Sequence, residues 1–291
     1  MIGANRLDFL YTHKKGGIYM KWCTYERDGE VAIGIVEGTN VYDVSNQLHT
    51  NALLEVIARE FEPDVDLDVA PRYPLESVKL LAPYRPLKNV ICIGKNYEEH
   101  VKEMDTAGAG KLVIFTKAPT SVVGPDAVVE RHPELTDQLD YEGELAVIIG
   151  KSGRDIEHVE EHIFGYTVLN DITARDVQKQ HVQFFRGKSF DTFCPIGPYV
   201  VTPDELSFPL TIETTVNGEL RQAGTTADMI RPIEELIRTL SKGMTLEAGD
   251  IIATGTPAGV GHGMKPPVYL QTGDTVEVSI TGIGSLRNII V

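Results

Sequence analysis

The sequence predicts an α+β protein rich in β-strand, with a small N-terminal domain ahead of a larger one. Three observations carry this. Short β-branched runs closed by turn residues recur along the chain. Asn217-Gly218 sits between Ile212–Val216 and Glu219–Arg221, the signature of a two-residue hairpin. Helical spacing is sparse, and is clearest over 232–242, with Pro232 at its start and Gly243 just past its end.

The 291 residues allow one large domain or two smaller ones. With 27 basic and 42 acidic side chains the net charge is −15. That argues against nucleic acid or an anionic membrane as partner, since both select basic surfaces. An anionic substrate would need positive charge supplied locally, by a metal or a placed lysine. Cys23, Cys92 and Cys194 are far apart, odd in number and without a Cys-x-x-Cys pair, so neither a disulfide framework nor a zinc knuckle is expected. A reducing cytoplasm fits that usage. No apolar run approaches the ~18 residues of a membrane span, and the first nineteen residues lack the apolar stretch of a signal peptide.

Residues 1–19 read as an extension, with Lys14-Lys15-Gly16-Gly17 as loop chemistry. Residues 20–44 read as short strands turning at Asp28-Gly29 and Glu37-Gly38. Helical spacing follows over 51–61, then acidic residues and prolines over 62–74. The small domain is therefore placed at 20–75 and the larger at 76–291. A strand is expected at 88–93. After it, His100 and Glu103 stand i,i+3, sharing a face on a helix. A carboxylate beside a histidine orients the ring and raises its basicity; an exposed helix laced with salt bridges has the same spacing. Thr106 to Gly110 reads as a flexible hinge, as a lid would need. A further strand is expected at 112–116.

The central stretch is 140–150, DYEGELAVIIG. Leu145 to Ile149 is a buried-strand run, and Glu142 and Glu144 stand two apart at its entrance, on one face. Two like charges beside a core are costly unless a positive partner sits between them. A hard divalent cation is the simplest such partner, although a solvated strand end also accommodates Glu-x-Glu. Asp171, at the end of the next strand, Gly165–Leu169, is a natural third carboxylate. Lys188 lies among aromatics and prolines, where lysine is unusual, and could offset developing negative charge.

Asp155 reads as the N-cap of a helix over 156–163. That helix carries His158-Val-Glu-Glu161-His162, an inverted zinc-protease spacing. Ile156, Val159 and Ile163 form its apolar face, and both histidines fall on the other side, so a solvated face is expected instead. The glycine loop 254–261 follows a strand at 251–253. It lacks the Lys-Ser/Thr of a phosphate loop, so nucleotide binding is not expected. A turn at Gln271–Asp274 leads into the final strands.

Several long motifs now stand in order over residues 88–291: GKNYEEHVKEM, DYEGELAVIIGK, GYTVLNDITARDVQ, GKSFDTFCPIGPYV, VNGELRQ and DIIATGTPAGVG. Together they resemble the fumarylacetoacetate hydrolase superfamily. The resemblance implies a mixed β-sandwich roll with flanking helices, and a homodimer. It implies Mg²⁺ or Mn²⁺ held by Glu142, Glu144 and Asp171, a His100–Glu103 catalytic dyad on a mobile lid, and Lys188 facing the substrate's oxygens. Thr256 would help hold a carboxylate. Lys95, where many relatives carry arginine, keeps the charge but not the planar fork. Tyr97, Arg175, Gln178 and Thr192 are further expected substrate contacts. The implied substrate is a small anionic 2-oxo acid. The implied reaction is hydrolysis of a carbon–carbon bond in a 2,4-dioxo acid of the acylpyruvate or fumarylpyruvate type, through an enolate stabilised by the cation. Oxaloacetate decarboxylation and isomerisation of a 5-carboxymethyl-2-hydroxymuconate-type dienoate share that enolate. A non-catalytic metal-dependent binding protein would have no use for the dyad, because binding needs no general base.

Overall fold

The computed structural model describes residues 20–60, 63–104 and 112–291. The expected extension 1–19 and the hinge 106–110 lie outside them. Among the described residues the largest sheet has twelve strands. Its path runs Arg72–Pro74, Asn40–Asp43, Glu30–Glu37, Lys21–Arg27, Cys194–Val201, Ile163–Asn170, Gly143–Ile149, Ile251–Ala253, Val90–Gly94 and Val113–Lys117. It is mixed: Ile251–Ala253 runs parallel to Val90–Gly94, while Gly143–Ile149 is antiparallel to both its neighbours. A five-stranded sheet, Glu219–Thr225, Thr211–Val216, Thr275–Ile280, Gly284–Ile290 and Val128–Val129, packs against it. This is the β-rich α+β architecture expected.

The strand Gly143–Ile149 is buried along its whole length. Leu145, Val147 and Ile149 enter a cluster with Ile212, Val278 and Ile280 of the second sheet and with Leu236, Ile237 and Leu240 of the helix Ile233–Ser241. Ala146 and Ile148 point the other way, against Trp22, Ile33, Ile35, Val56 and Ile57. The strand's period of two thus serves two cores at once.

Residues 20–75 join the rest through hydrogen bonds rather than a tether. Lys21 pairs with Val201 and Trp22 with Val200, which continues one sheet across the expected boundary. Within the acidic, proline-bearing stretch 62–74, Arg72–Pro74 is itself a strand on Asn40–Asp43. The hairpin at Asn217-Gly218 forms as read, with φ of 54° and 79° at the two turn residues, the left-handed pair that a type I′ turn requires.

Two helices are shorter than their spacing suggests. The 51–61 pattern yields only Leu53–Ile57. The helix expected at 156–163 is a single 3₁₀ turn, Val159–His162, because the backbone enters strand Ile163–Asn170 directly after it. Asp155 does not cap it: its Oδ1 accepts the Gly243 N–H at 2.8 Å. The histidine pair binds nothing jointly, since the His158 side chain is 79% exposed and His162 Nδ1 is engaged by the Lys151 carbonyl. The three cysteines are buried and free. No helix among the described residues is long and apolar enough to cross a membrane.

Ile148, fully buried between the elements that cover this strand, is a direct test of the arrangement. Ile148→Ala should cost about 2–5 kcal/mol, read as a lowered urea midpoint with an unchanged slope. Val182→Ala, at a side chain 96% exposed, should stay within about 0.5 kcal/mol of the parent.

Candidate active site

The site grows from the mouth of the central strand. Glu142 and Glu144 flank Gly143, and this position has no room for a side chain: a Cβ would run into Thr214 and Val278. The neighbouring strand sets Gly143 opposite Asn170. Asn170 Oδ1 accepts the Glu142 N–H (3.1 Å), and the Asp171 N–H donates to the Glu142 carbonyl (2.8 Å). Register alone therefore brings Asp171 beside the two glutamates. Each of the three offers a carboxylate oxygen within 4.8 Å of the others, and all three are buried.

Fixed cations answer that charge. Lys188 Nζ lies 2.7 Å from both Glu142 Oε2 and Asp171 Oδ2. Lys117 Nζ, fully buried, donates to Asp171 Oδ1 (2.5 Å) and to the Ile172 carbonyl (3.0 Å). Arg175 Nη2 is 2.7 Å from Glu142 Oε1 and 2.9 Å from Asp140 Oδ2. Burial alone would raise the Glu142 carboxyl, but Lys188, then Arg175, outweigh it and hold the group well below the usual carboxylate range. Glu144 goes the other way. Burial first, then Asp171 and Glu142, push its carboxyl well above that range, against the opposing Lys188 charge and the Gly255 N–H on Oε2 at 2.8 Å. Three convergent hard oxygen donors, one of them still drawing a proton, fit a divalent cation in place of that proton. Glu142, Glu144 and Asp171 would hold it.

Glu142 and Glu144 line a cavity of about 210 Å³ that also reaches His100, Lys95, Gln178 and Thr256. His100 sits on the helix Glu98–Glu103, entered through Lys95 at φ 60°. Its Nδ1 lies 3.2 Å from Glu103 Oε2. Glu103 Oε1 in turn accepts the Gly259 N–H at 3.0 Å. A side chain at Gly263, in the turn just after the glycine loop, would collide with the Glu103 carboxylate, so the loop holds it and the turn confines it.

Not every expected contact reaches the cavity. The Tyr97 ring is packed with Leu145 and Val147 in the core, drawn in by its apolar face. Thr192 stands on a turn at φ 71°, where its hydroxyl accepts the Glu130 N–H, and it does not line the cavity. Arg175 lines the cavity, but its guanidinium is committed to Asp140 and Glu142. Thr256 also lines it, yet its hydroxyl donates to the Gly143 carbonyl and accepts from Gln222 Nε2, so it has no proton left for a carboxylate. Three residues escaped the sequence reading: Lys117, Asp140 and Gln222. Asp140 and Gln222 are legible only through long-range contacts. Lys117 had a signal, its place between a strand and Ala118-Pro119, the same apolar enclosure that marks Lys188.

Residues 89–291 match the family model described as fumarylacetoacetate (FAA) hydrolase C-terminal. The chain belongs to this family. The chain is 57% identical to oxaloacetate tautomerase YisK of Bacillus subtilis over 74% of each sequence. It is 62% identical to the structure of a fumarylacetoacetate hydrolase from psychrophilic Exiguobacterium antarcticum, with a TM-score of 0.88 over 93% of this chain and 99% of the other. It is 34% identical to a 5-carboxymethyl-2-hydroxymuconate delta-isomerase from Mycobacterium smegmatis, with a TM-score of 0.78 over 94% and 99%.

The raised Glu144 carboxyl makes divalent binding a proton exchange. A cation needs the ionised form, so its apparent affinity should strengthen as pH rises toward the raised range, with about one proton released per site. Titration calorimetry with Mn²⁺ in two buffers of different ionisation enthalpy measures that release. Affinity that is flat with pH, and no released proton, would remove Glu144 from the ligand set.

Proposed function

We propose that the protein is a Mg²⁺- or Mn²⁺-dependent enzyme that interconverts the keto and enol forms of a small 2-oxo diacid such as oxaloacetate. The observation that carries this is His100, paired with Glu103, lining the same cavity as Glu142 and Glu144. A carboxylate only accepts, so His100 Nδ1 bears the hydrogen that faces Glu103. Nε2 is then the atom able to take a proton. It would remove one from carbon 3 of the keto acid and return it to the enolate oxygen. Glu103 offsets the imidazolium formed between the two transfers. A divalent cation held by Glu142, Glu144 and Asp171 would supply Lewis acidity toward the substrate. Lys188, charged because Asp171 and Glu142 more than offset its burial, adds positive charge where the enolate oxygen develops. The similarity to a named tautomerase and a named isomerase supports a reaction that needs only proton movement.

A second reading is hydrolysis of an acylpyruvate, favoured by the 62% identity to a structure named as a fumarylacetoacetate hydrolase. There His100 would take its proton from water, and the attacking hydroxide would cleave the carbon–carbon bond with pyruvate enolate leaving. Both readings use the same base on different protons.

The test is a substrate panel with Mg²⁺ or Mn²⁺, following enol disappearance for oxaloacetate and product acids for acylpyruvates. Ketonisation of the enol without release of pyruvate supports the tautomerase, whereas stoichiometric pyruvate from acylpyruvate supports the hydrolase. Pyruvate from oxaloacetate would instead indicate decarboxylation. In each case His100→Ala should lower kcat by roughly 10²–10⁴ while Mn²⁺ still binds. Full activity of that variant would refute the proton-transfer role.

A further inference from the structure

A chain of net charge −15 repels anions, so a cavity that takes a dianion must carry its own positive field. Its two deepest cations do not provide that field for a second carboxylate. Lys188 is shared between Glu142 and Asp171, and Arg175 between Asp140 and Glu142. Besides Lys95, the cavity has a further cation, at its mouth. Lys179 stands one turn beyond Arg175 on the helix Arg175–Gln180, at the i,i+4 spacing that puts both on one face. It is exposed, yet it lines the same cavity as His100 and Glu144. Among the described residues no carboxylate pairs with it. Its charge is felt at the rim: after burial, Lys179 and then Arg175 are what hold the neighbouring His262 ring below its usual pKa.

We infer that Lys179 is the specificity-determining residue that selects a 2-oxo diacid over a 2-oxo monoacid, by pairing with the substrate's second carboxylate at the cavity mouth. This rests on the proposed 2-oxo acid chemistry at the same site and names its substrate class. The head of the substrate, carboxylate and C2 oxygen, lies with the carboxylate cluster and is common to both classes. Only the diacid extends a charge to the mouth. The pairing is made equally in ground and transition states, so it acts on binding rather than on the chemical step. Because Lys179 is exposed, the preference it confers weakens with salt.

The experiment compares oxaloacetate with pyruvate on the Mg²⁺-loaded protein, by proton–deuterium exchange at carbon 3 and, independently, by equilibrium binding. Lys179→Met should raise KM for oxaloacetate about tenfold, the scale of one lost charge-assisted contact, with kcat nearly unchanged and pyruvate exchange altered less than about twofold. Lys179→Arg should keep the diacid preference, and the preference in the unmodified protein should shrink as ionic strength rises. Equal losses on the two acids, or none on either, overturn the assignment. If the unmodified protein exchanges no proton on either acid, the catalytic reading fails. The binding comparison then decides Lys179 by itself: weaker oxaloacetate binding in Lys179→Met with pyruvate binding unchanged sustains it, and unchanged oxaloacetate binding overturns it.

Discussion

Three carboxylates buried at the mouth of one strand are the constraint to which the rest of this structure answers. An ion taken out of water costs several kcal/mol unless it is paired and hydrogen-bonded. Glu142 and Asp171 meet that cost with Lys188, Lys117 and Arg175, each fixed within 3 Å of a carboxylate oxygen. Adding Asp140 makes four acids against three bases. The imbalance settles on Glu144, whose carboxyl is the one driven upward. A buried network one positive charge short is a candidate cation site.

The glycine loop shows how backbone supplies what side chains cannot. Gly255 N–H donates to Glu144, Gly259 N–H to Glu103 and Gly261 N–H to Asp140. One loop thus orients a candidate metal ligand, the dyad's carboxylate and the partner of Arg175. A glycine-rich loop after a strand ordinarily suggests phosphate binding through such N–H groups. Here the anions it cradles belong to the protein. The left-handed backbone at Gly255 and Gly259, φ 101° and 108°, is what aims the N–H groups, and it explains why glycine stands at both. Because Glu103 and Glu144 hang on the same loop, a displacement of the loop would disturb the proposed proton transfer and the proposed cation binding together.

The central strand links this chemistry to stability. Leu145, Val147 and Ile149 anchor it to one core, and Ala146 and Ile148 to the other. A strand gripped on both faces cannot slip by a residue without exposing one set and burying the wrong one. That rigidity holds Glu142 and Glu144 in register with Asp171, so the packing that stabilises the fold also sets the geometry of the site.

Much of this was legible from local rules. Period-two alternation places Glu142 and Glu144 on one face, the i,i+3 spacing brings His100 to Glu103, and Asn217-Gly218 demands its hairpin; each depends on backbone geometry that a few neighbouring residues determine. The short helix at 159–162 and the truncated one at 53–57 were misread because neighbouring strands and packing override spacing in weak helices. The roles of Arg175, Thr256 and Tyr97 were likewise hidden. Whether a polar group faces a substrate or another side chain depends on partners 30 to more than 100 positions away, such as Asp140 for Arg175 and Gly143 for Thr256. The sequence alone determined which groups could do chemistry, because residue type and local spacing set that. Only the tertiary structure decided which of them are already spent on one another, because charge compensation in a buried site is a property of everything packed around it.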